Sequence, residues 1–247
     1  MSYHKRIAFA IVFVFLAAFF ILTINSHRSP SKVSDEPDLP DQLEAVLQEE
    51  DTVMDFVWKD GTVYALVHRD GEAEDADIFT VFDQEPDGKW RRSYENDFAG
   101  IKPWKIGIAD IDGNGEEEIL IAVKKTAYFD QVEKNRMFIF NYTDGILAKK
   151  WTGSQIAGSW RDFYTADLVS ASGCELIFIE QTEDGLEKIK VYHWFDFGFF
   201  LLAESDTYPY IKNLTIPGYN RIEITVQDGQ TEETIVLTAK DGKLTKN

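Results

Sequence analysis

Apolar and polar residues alternate in short runs through most of the chain from about residue 50, and glycine turns separate the runs. Strict alternation predicts half-buried β-strands, and apolar runs of four to eight residues predict buried ones. Four of the turns each follow an apolar strand and precede a second short strand, and their glycines are 57, 53 and 44 residues apart. These turns are Asp87-Gly88, Asp144-Gly145, Phe197-Gly198 and Asp241-Gly242. The pattern predicts an all-β domain made of repeated units.

A second set of turns lies earlier in each unit, again between predicted strands. These turns are Asp60-Gly61, Asp112-Gly113, Ser172-Gly173 and Pro217-Gly218. Each unit therefore has about four strands in roughly 50 residues, which is the size of one blade of a β-propeller. One such unit cannot bury its faces alone. We predict a small β-propeller of about four four-stranded units over residues 50–247. Two packed β-sandwich halves are the alternative that the same number of strands allows.

The loop between the first two predicted strands of the second unit carries oxygen-bearing side chains at alternate positions. Calcium prefers six to eight hard oxygen ligands in a forgiving geometry. Alternate side chains on a curled backbone can converge on one ion, and glycines permit the curl. The residue at position 7 of the loop would offer its backbone carbonyl. The sequence thus predicts one calcium ion, with these ligands at positions 1, 3, 5, 7 and 9: Asp110, Asp112, Asn114, Glu116 (carbonyl) and Glu118.

Charge repulsion also favours an ion in this loop. Carboxylates held about 4 Å apart repel by roughly 4 kcal/mol per pair at an effective dielectric constant near 20, and a divalent cation reverses that sign. A helical EF-hand is disfavoured, because its twelfth position needs a bidentate glutamate and Ile121 stands there. The alternative interpretation is a plain acidic β-turn. The matching stretch of the third unit keeps Asp167 and Glu175 but has Val169 and Ala171 at the other ligand positions, so we predict no metal there.

The stretch from Ala109 to Ile119 resembles the calcium loop of FG-GAP/VCBS-type repeats, which form the β-propeller of the integrin α-subunit N-terminal domain and of many bacterial surface proteins. That family places acidic or amide residues at positions 1, 3, 5 and 9 between two strands. Glu118 departs mildly from the aspartate that is usual at position 9. The resemblance implies a binding or adhesion module whose single calcium ion is structural and whose ligand is an unidentified protein or glycan.

The N-terminal residues predict a membrane anchor. Residues 7–24 are apolar except for Thr23, and Lys5 and Arg6 precede them. This length suits a transmembrane helix, and no Ala-x-Ala-like site follows it, so a signal anchor is favoured over a cleaved signal peptide. We predict a cytoplasmic segment 1–6, a single span 7–24 in the cell membrane, a tether 25–49 with a short helix, and an extracytoplasmic domain.

Charge and rare residues narrow the function further. The net charge of −18 disfavours nucleic acid as a partner, because binding to phosphates needs a positive surface. The single cysteine, Cys174, excludes an internal disulfide, and its position beside an apolar strand predicts a small buried residue. His68 and His193 fall on predicted strands of different units without zinc-site spacing, so we predict structural roles for both.

No catalytic motif of the nucleophile-elbow, phosphate-loop or dinucleotide type occurs in the sequence. We therefore predict a membrane-anchored, calcium-binding propeller that acts as a protein or glycan interaction module and is not an enzyme. Carboxylates are plentiful, so a hydrolase or lyase that uses acidic residues on a propeller scaffold is one alternative. A non-catalytic structural component of the cell envelope is the other.

Overall fold

The computed structural model describes residues 39–40, 42–70, 74–153, 156, 158–169 and 172–247. Strands account for most of these residues, which confirms the all-β class. The same residues include two short 3-10 helices, Leu43–Val46 and Ala99–Ile101. The strands are β1 (Asp51–Lys59), β2 (Thr62–Arg69), β3 (Ile78–Gln84), β4 (Trp90–Asp97), β5 (Pro103–Ala109), β6 (Glu118–Ala127), β7 (Asp130–Thr143), β8 (Ile146–Thr152), β9 (Ser159–Ala166), β10 (Glu175–Gln181), β11 (Glu187–Phe195), β12 (Gly198–Ser205), β13 (Ile211–Gly218), β14 (Arg221–Asp228), β15 (Thr231–Lys240) and β16 (Lys243–Lys246).

Tight hairpins join many of these strands. Three of the turns, Asp60-Gly61, Asp144-Gly145 and Asp241-Gly242, have positive φ at both residues. Such turns match the right-handed twist of the flanking strands, and aspartate followed by glycine adopts them readily. The predicted turns therefore lie between strands, with two exceptions. The turn predicted at Phe197-Gly198 lies one residue earlier, at Asp196-Phe197, because Gly198 is the first residue of β12. Pro217 and Gly218 are the last residues of β13, and the turn lies two residues later, at Tyr219-Asn220.

Four successive antiparallel meanders follow one another along the chain. Strands β1–β4 form one four-stranded sheet and β5–β8 form a second. Strands β9–β12 and β13–β16 belong to one eight-stranded sheet, because β16 pairs in parallel with β12 through Glu204 with Lys243 and Ser205 with Leu244. The prediction of about four four-stranded units therefore needs correction at one point: the third and fourth units share a sheet. This pairing covers the edge of β12 that would otherwise present unpaired backbone groups.

The sheets bury apolar side chains on both faces, and β6 shows how. Ile119 and Ile121 point into a core shared by the first and second units, whereas Leu120 and Ala122 point into a core shared by the second and third. Successive side chains of a strand face opposite sides of its sheet. A sheet covered on both sides therefore needs an unbroken apolar run, which is what β6 has. A third core joins the third and fourth units.

Residues Gln42–Asn247 form one compact unit. Its first element is the 3-10 helix Leu43–Val46, whose Leu43 is fully buried. No helix within the described ranges is long and apolar enough to cross a membrane. The predicted span at residues 7–24 lies outside those ranges.

Candidate functional site

The loop between β5 and β6 is folded around the carboxylate of Asp110. This carboxylate accepts hydrogen bonds from the backbone N–H groups of Gly113 (2.7 Å) and Asn114 (3.2 Å) at Oδ1 and of Gly115 (2.8 Å) at Oδ2. Loop amides are thereby satisfied, and the N–H of Asn114 is shared with Oδ1 of Asp112 at 3.2 Å. Asp110 thus fixes the curl that brings the later acidic residues of the loop back toward the end of β5.

The neighbouring unit also constrains this loop. Gly113 has a φ of 72°, and a Cβ atom placed there would lie 2.9 Å from the backbone nitrogen of Gly173. The backbone N–H of Cys174 donates to the carbonyl oxygen of Asp110 at 2.6 Å. Two loops from successive units therefore meet backbone to backbone. Glycine is required at position 113 both for its conformation and for this approach.

Glu118 is the buried centre of the site. It has no exposed surface, and its Oε2 accepts the backbone N–H of Ile111 at 3.0 Å. Its Oε1 accepts hydrogen bonds from Nδ2 of Asn141 (3.2 Å) and from Nζ of Lys150 (2.5 Å). The same ammonium group donates to Oδ2 of Asp112 at 2.5 Å. Lys150 therefore bridges the buried carboxylate and a more accessible one.

The three acidic side chains converge closely. One oxygen atom from each of Asp110, Asp112 and Glu118 lies within 4.8 Å of the others. Lys150 offsets one of the three negative charges, which leaves a net charge of −2 when all four groups are ionised. We name the group formed by these four residues the acidic centre. Its residual charge and its oxygen atoms suit a divalent cation.

Lys150 remains a cation in this setting. Burial alone lowers the pKa of its ammonium group, but the hydrogen bonds to Asp112 and Glu118 outweigh that effect and raise the pKa above its usual value. The ammonium also lies 5.6 Å from the centre of the Trp194 ring, which belongs to the third unit. A protonated amine is therefore held at the contact between the second and third units.

The structure brings together three of the five predicted calcium ligands, namely Asp110, Asp112 and Glu118. The Oδ1 atom of Asn114 accepts the backbone N–H of Glu116 at 2.6 Å, and the side chain of Glu116 is exposed. The parts assigned to the Asn114 amide and the Glu116 carbonyl stay predictions. The carboxylates fit a hard cation by their chemistry. Such an ion would have to displace the Lys150 ammonium from two of them.

The sequence analysis did not identify two residues that donate hydrogen bonds to Glu118, namely Asn141 on β7 and Lys150 on β8. Neither has a fixed spacing to the loop motif. Lys150 occupies an irregularity in the pairing of β7 with β8, where Ile139 pairs with Trp151 and Phe140 with Lys149. The only sequence signal for Lys150 is that Lys149 and Lys150 are adjacent in a predicted strand. Because successive side chains of a strand alternate, one of the two lysines must point toward the covered face of the sheet.

The corresponding loop of the third unit lacks such a centre. Glu175 is fully buried, and its Oε2 accepts the backbone N–H groups of Leu168 (2.8 Å) and Val169 (3.3 Å). Nδ1 of His193 lies 3.8 Å from its Oε1. Within the described part of the chain, no second group of three His, Cys, Asp or Glu side chains converges as the acidic centre does.

Cys174 is half-buried rather than buried. Burial and the nearby charges of Asp167 and Glu175 raise the pKa of its thiol, which makes it a weaker nucleophile than a free cysteine. The remaining histidine on a strand, His68, places Nδ1 3.3 Å from Oδ2 of Asp77. Neither group adds to the acidic centre.

No protein-family model and no curated protein sequence matches the chain. Its fold is similar to that of a solved protein from Bacteroides uniformis ATCC 8492, provisionally assigned as a 6-phosphogluconolactonase, with a TM-score of 0.52 and 15% identity over 79% of this chain and 53% of that one. A Bacteroides fragilis NCTC 9343 protein with the same provisional assignment has a TM-score of 0.41 and 12% identity over 77% of this chain and 67% of that one. This chain spans about half the length of the Bacteroides uniformis protein.

The similarity to the Bacteroides uniformis protein corrects two predictions. That protein shares the fold and carries an enzyme's name, which contradicts both the predicted non-catalytic, calcium-binding interaction module and the predicted absence of enzymatic activity. Both predictions were wrong for a physical reason. A short ion-binding motif describes one loop, and the same loop can sit on scaffolds with unrelated activities.

Proposed function

We propose that this chain is a hydrolase on a β-propeller-type scaffold that opens the lactone ring of a sugar acid at the acidic centre. The observation that carries the proposal is the bridge that Lys150 makes between Asp112 and buried Glu118. The shared fold with a protein assigned as a 6-phosphogluconolactonase supports the substrate class. A partial propeller of four units, two of them in one sheet, would be the scaffold.

Lactone hydrolysis needs two chemical groups that the acidic centre contains. A general base must take a proton from the attacking water, and a positive group must stabilise the negative charge that develops on the carbonyl oxygen. The side chain of Asp112 is 22% exposed, so this carboxylate is the base that water and substrate can reach. The Lys150 ammonium, with its raised pKa, is the positive group.

The other two members of the centre act through these groups. Glu118 has no exposed surface and holds the Lys150 ammonium in place. Asp110 holds the loop through the backbone amides of Gly113, Asn114 and Gly115. Both are therefore positioning residues. Asp112 and Lys150 are the catalytic residues of the proposal.

The predicted calcium ion is the alternative source of positive charge in this proposal, because it would take the place of the Lys150 ammonium on Asp112 and Glu118. The carboxylates of Asp110, Asp112 and Glu118 would hold it, and its contribution would be to polarise the ester carbonyl. The kinship of the loop with FG-GAP/VCBS repeats and the membrane span at residues 7–24 are retained as proposals that fit an anchored extracytoplasmic enzyme.

The direct test is hydrolysis of δ-gluconolactone and of its 6-phosphate by the full chain, followed by titrating the released acid at constant pH. Replacing a general base typically lowers the rate by a factor on the order of 10² to 10⁴, so we expect Asp112→Asn to lose activity to that extent. Asp167→Asn is the control, because Asp167 is an exposed aspartate of the corresponding loop in the third unit, at the position of Asp110, and the same change there removes a charge away from the acidic centre.

Two results would overturn the proposal. One is a wild-type rate equal to spontaneous hydrolysis, both with calcium and with a chelator. The other is an Asp112→Asn variant as active as the wild type. The comparison of calcium with chelator also separates the two parts of the proposal, since activity that a chelator leaves unchanged would remove calcium and keep the Asp112–Lys150 pair.

A further inference from the structure

A pocket of about 170 Å³ lies between the first and second units, at the end of the sheets where the acidic loop is found. Its polar lining comes from Lys59, Asp60, Thr62, Tyr64, Glu117 and Tyr142. Its apolar lining is the cross-strand pair Ile108 and Ile119. Nothing in the chemistry proposed for the acidic centre uses this pocket.

The pocket and the acidic centre lie on opposite faces of β6. Ile119 points into the core between the first and second units, whereas the next residue, Leu120, points into the core between the second and third. By alternation Glu118 shares the face of Leu120, and Glu117 shares the face of Ile119. The pocket is therefore a separate site.

The charges around the pocket favour a cation. Asp60 and Glu117 contribute two negative charges and Lys59 one positive charge, so the lining has a net charge of −1 when ionised. Lys59 and Glu117 form an ion pair with side chains that are 45% and 36% exposed. An ion pair this exposed stabilises the fold little, so a ligand can replace Lys59 on Glu117 at small cost. The pair also demonstrates that an ammonium group fits against this carboxylate.

Two tyrosine rings make the lining suitable for an organic cation. The rings of Tyr64 and Tyr142 meet edge to face, with centroids 5.9 Å apart and planes at 88°. Burial raises the pKa of both phenols, so both hydroxyls stay neutral at pH 7. Aromatic faces attract ammonium groups through their quadrupoles, and the apolar part of an organic ammonium ion can contact the isoleucines.

We propose that this pocket binds a small organic ammonium ion, with Glu117 and Asp60 balancing its charge and the two tyrosine rings enclosing its apolar part. The net negative lining disfavours a sugar phosphate. The proposed ligand therefore differs in charge from the proposed substrate, and the site is independent of the hydrolase proposal.

The experiment uses tetramethylammonium chloride as the probe, with binding to the full chain followed by nuclear magnetic resonance titration. tert-Butyl alcohol, which has nearly the same shape and no charge, is the neutral comparison. Removing one exposed charge changes an interaction by a modest amount, so Lys59→Met should tighten binding by roughly two- to fivefold and Glu117→Gln should weaken it by a similar factor. Glu133→Gln is the matched control, because it breaks an equally exposed ion pair with Lys102 elsewhere.

Opposite effects of the two pocket variants, with no change in the control, would support the proposal. It would be overturned if tert-butyl alcohol bound as tightly as the ammonium ion, if Lys59→Met failed to tighten binding, or if a neutral sugar bound more tightly than the probe. Circular dichroism verifies that each variant is folded. We expect all three to fold, because the substituted side chains lie at the surface. Because the readout is binding, loss of this site leaves the lactone hydrolysis test unaffected.

Discussion

The loops between the first two strands of the second and third units share a backbone arrangement but differ in their side-chain chemistry. In each, a fully buried glutamate at the start of the unit's second strand accepts the backbone N–H of the second loop residue. Glu118 does so from Ile111 at 3.0 Å, and Glu175 does so from Leu168 at 2.8 Å. The glutamate is therefore a structural element of the repeat, and its presence alone does not make a functional site.

The difference lies in two positions that change together. Asp112 and Lys150 of the second unit correspond to Val169 and Leu202 of the third, and both apolar residues pack against the core of the third and fourth units. Lys150 and Leu202 occupy equivalent irregularities in strand pairing. A charge among apolar neighbours is costly without its partner, so we expect the effects of changing the two positions to be coupled. The polar pair Asp112–Lys150 therefore distinguishes the acidic centre from the loop of the third unit.

The largest expected difference between the two loops is the cost of losing the glutamate. Glu118→Ala would leave the amide of buried Ile111 unpaired and would leave Asp112 as the remaining carboxylate on the Lys150 ammonium; breaking a buried ion pair costs up to about 3–5 kcal/mol. Glu175→Ala would remove the acceptor of two backbone amides, at about 1–3 kcal/mol, and the basic side chain described beside this carboxylate is His193 rather than a lysine. Urea unfolding of both variants measures the free energies.

Glu118→Gln refines that measurement, because the amide oxygen still accepts the Ile111 N–H while the charge is lost. Its cost should fall between those of wild type and Glu118→Ala. Equal destabilisation by Glu118→Ala and Glu175→Ala would contradict the comparison, since it would mean that Lys150 adds nothing to what the repeat already requires.

A smaller effect is expected from moving the polar pair into the third unit. Val169→Asp and Leu202→Lys should each destabilise the fold, because each places a charge among apolar neighbours. Together they should cost less than the sum of the single changes, with a coupling energy on the order of 1 kcal/mol, because the two charges can pair. Thermal unfolding of the four members of the cycle gives this energy.

The control for this cycle is the reverse exchange in the second unit, Asp112→Val with Lys150→Leu. The coupling energy of these two changes should have the same sign, since removing one charge leaves the other with fewer partners. Strictly additive effects in the third unit would show that the two positions do not meet there, and the equivalence of the loops would fail.

Much of the fold could be predicted because it depends on local chemistry. Aspartate-glycine pairs such as Asp60-Gly61 and Asp144-Gly145 adopt the turn conformation through their own φ preferences. The pairing of β16 with β12 could not be predicted, because it joins two short segments about 40 residues apart and nothing in either segment encodes the partner. The turn predicted at Pro217-Gly218 lies two residues later, at Tyr219-Asn220, because β13 continues to Gly218.

The site divides in the same way. Asp110, Asp112 and Glu118 lie in one loop, so their spacing was enough to predict that they converge. Lys150 comes from β8, and its place depends on a shift in strand register that only the assembled sheet defines. A motif within the loop therefore could not predict Lys150, the cation on which the proposed chemistry of the centre depends. The resemblance of the loop to calcium-binding repeats predicted a metal ion as the positive charge, whereas the structure places the Lys150 ammonium there.

The smallest expected effect concerns pH, and it again contrasts Lys150 with Leu202. The pKa of Lys150 is raised in the folded chain by hydrogen bonds to Asp112 and Glu118, which outweigh burial. A raised pKa means that the ion pair stabilises the fold fully below the unfolded value, about 10.4, and that this contribution is lost as pH rises through the higher folded value.

The difference in unfolding free energy between wild type and Lys150→Met should thus be constant from pH 7 to about pH 10 and narrow above that. Only part of Lys150 deprotonates before alkali unfolds most proteins, so the narrowing should be slight. Leu202→Met should show no such dependence in urea unfolding at the same pH values. A gap that already narrows between pH 7 and 9 would mean that the pKa of Lys150 is lowered, and the ammonium could not then serve as the fixed positive charge of the acidic centre.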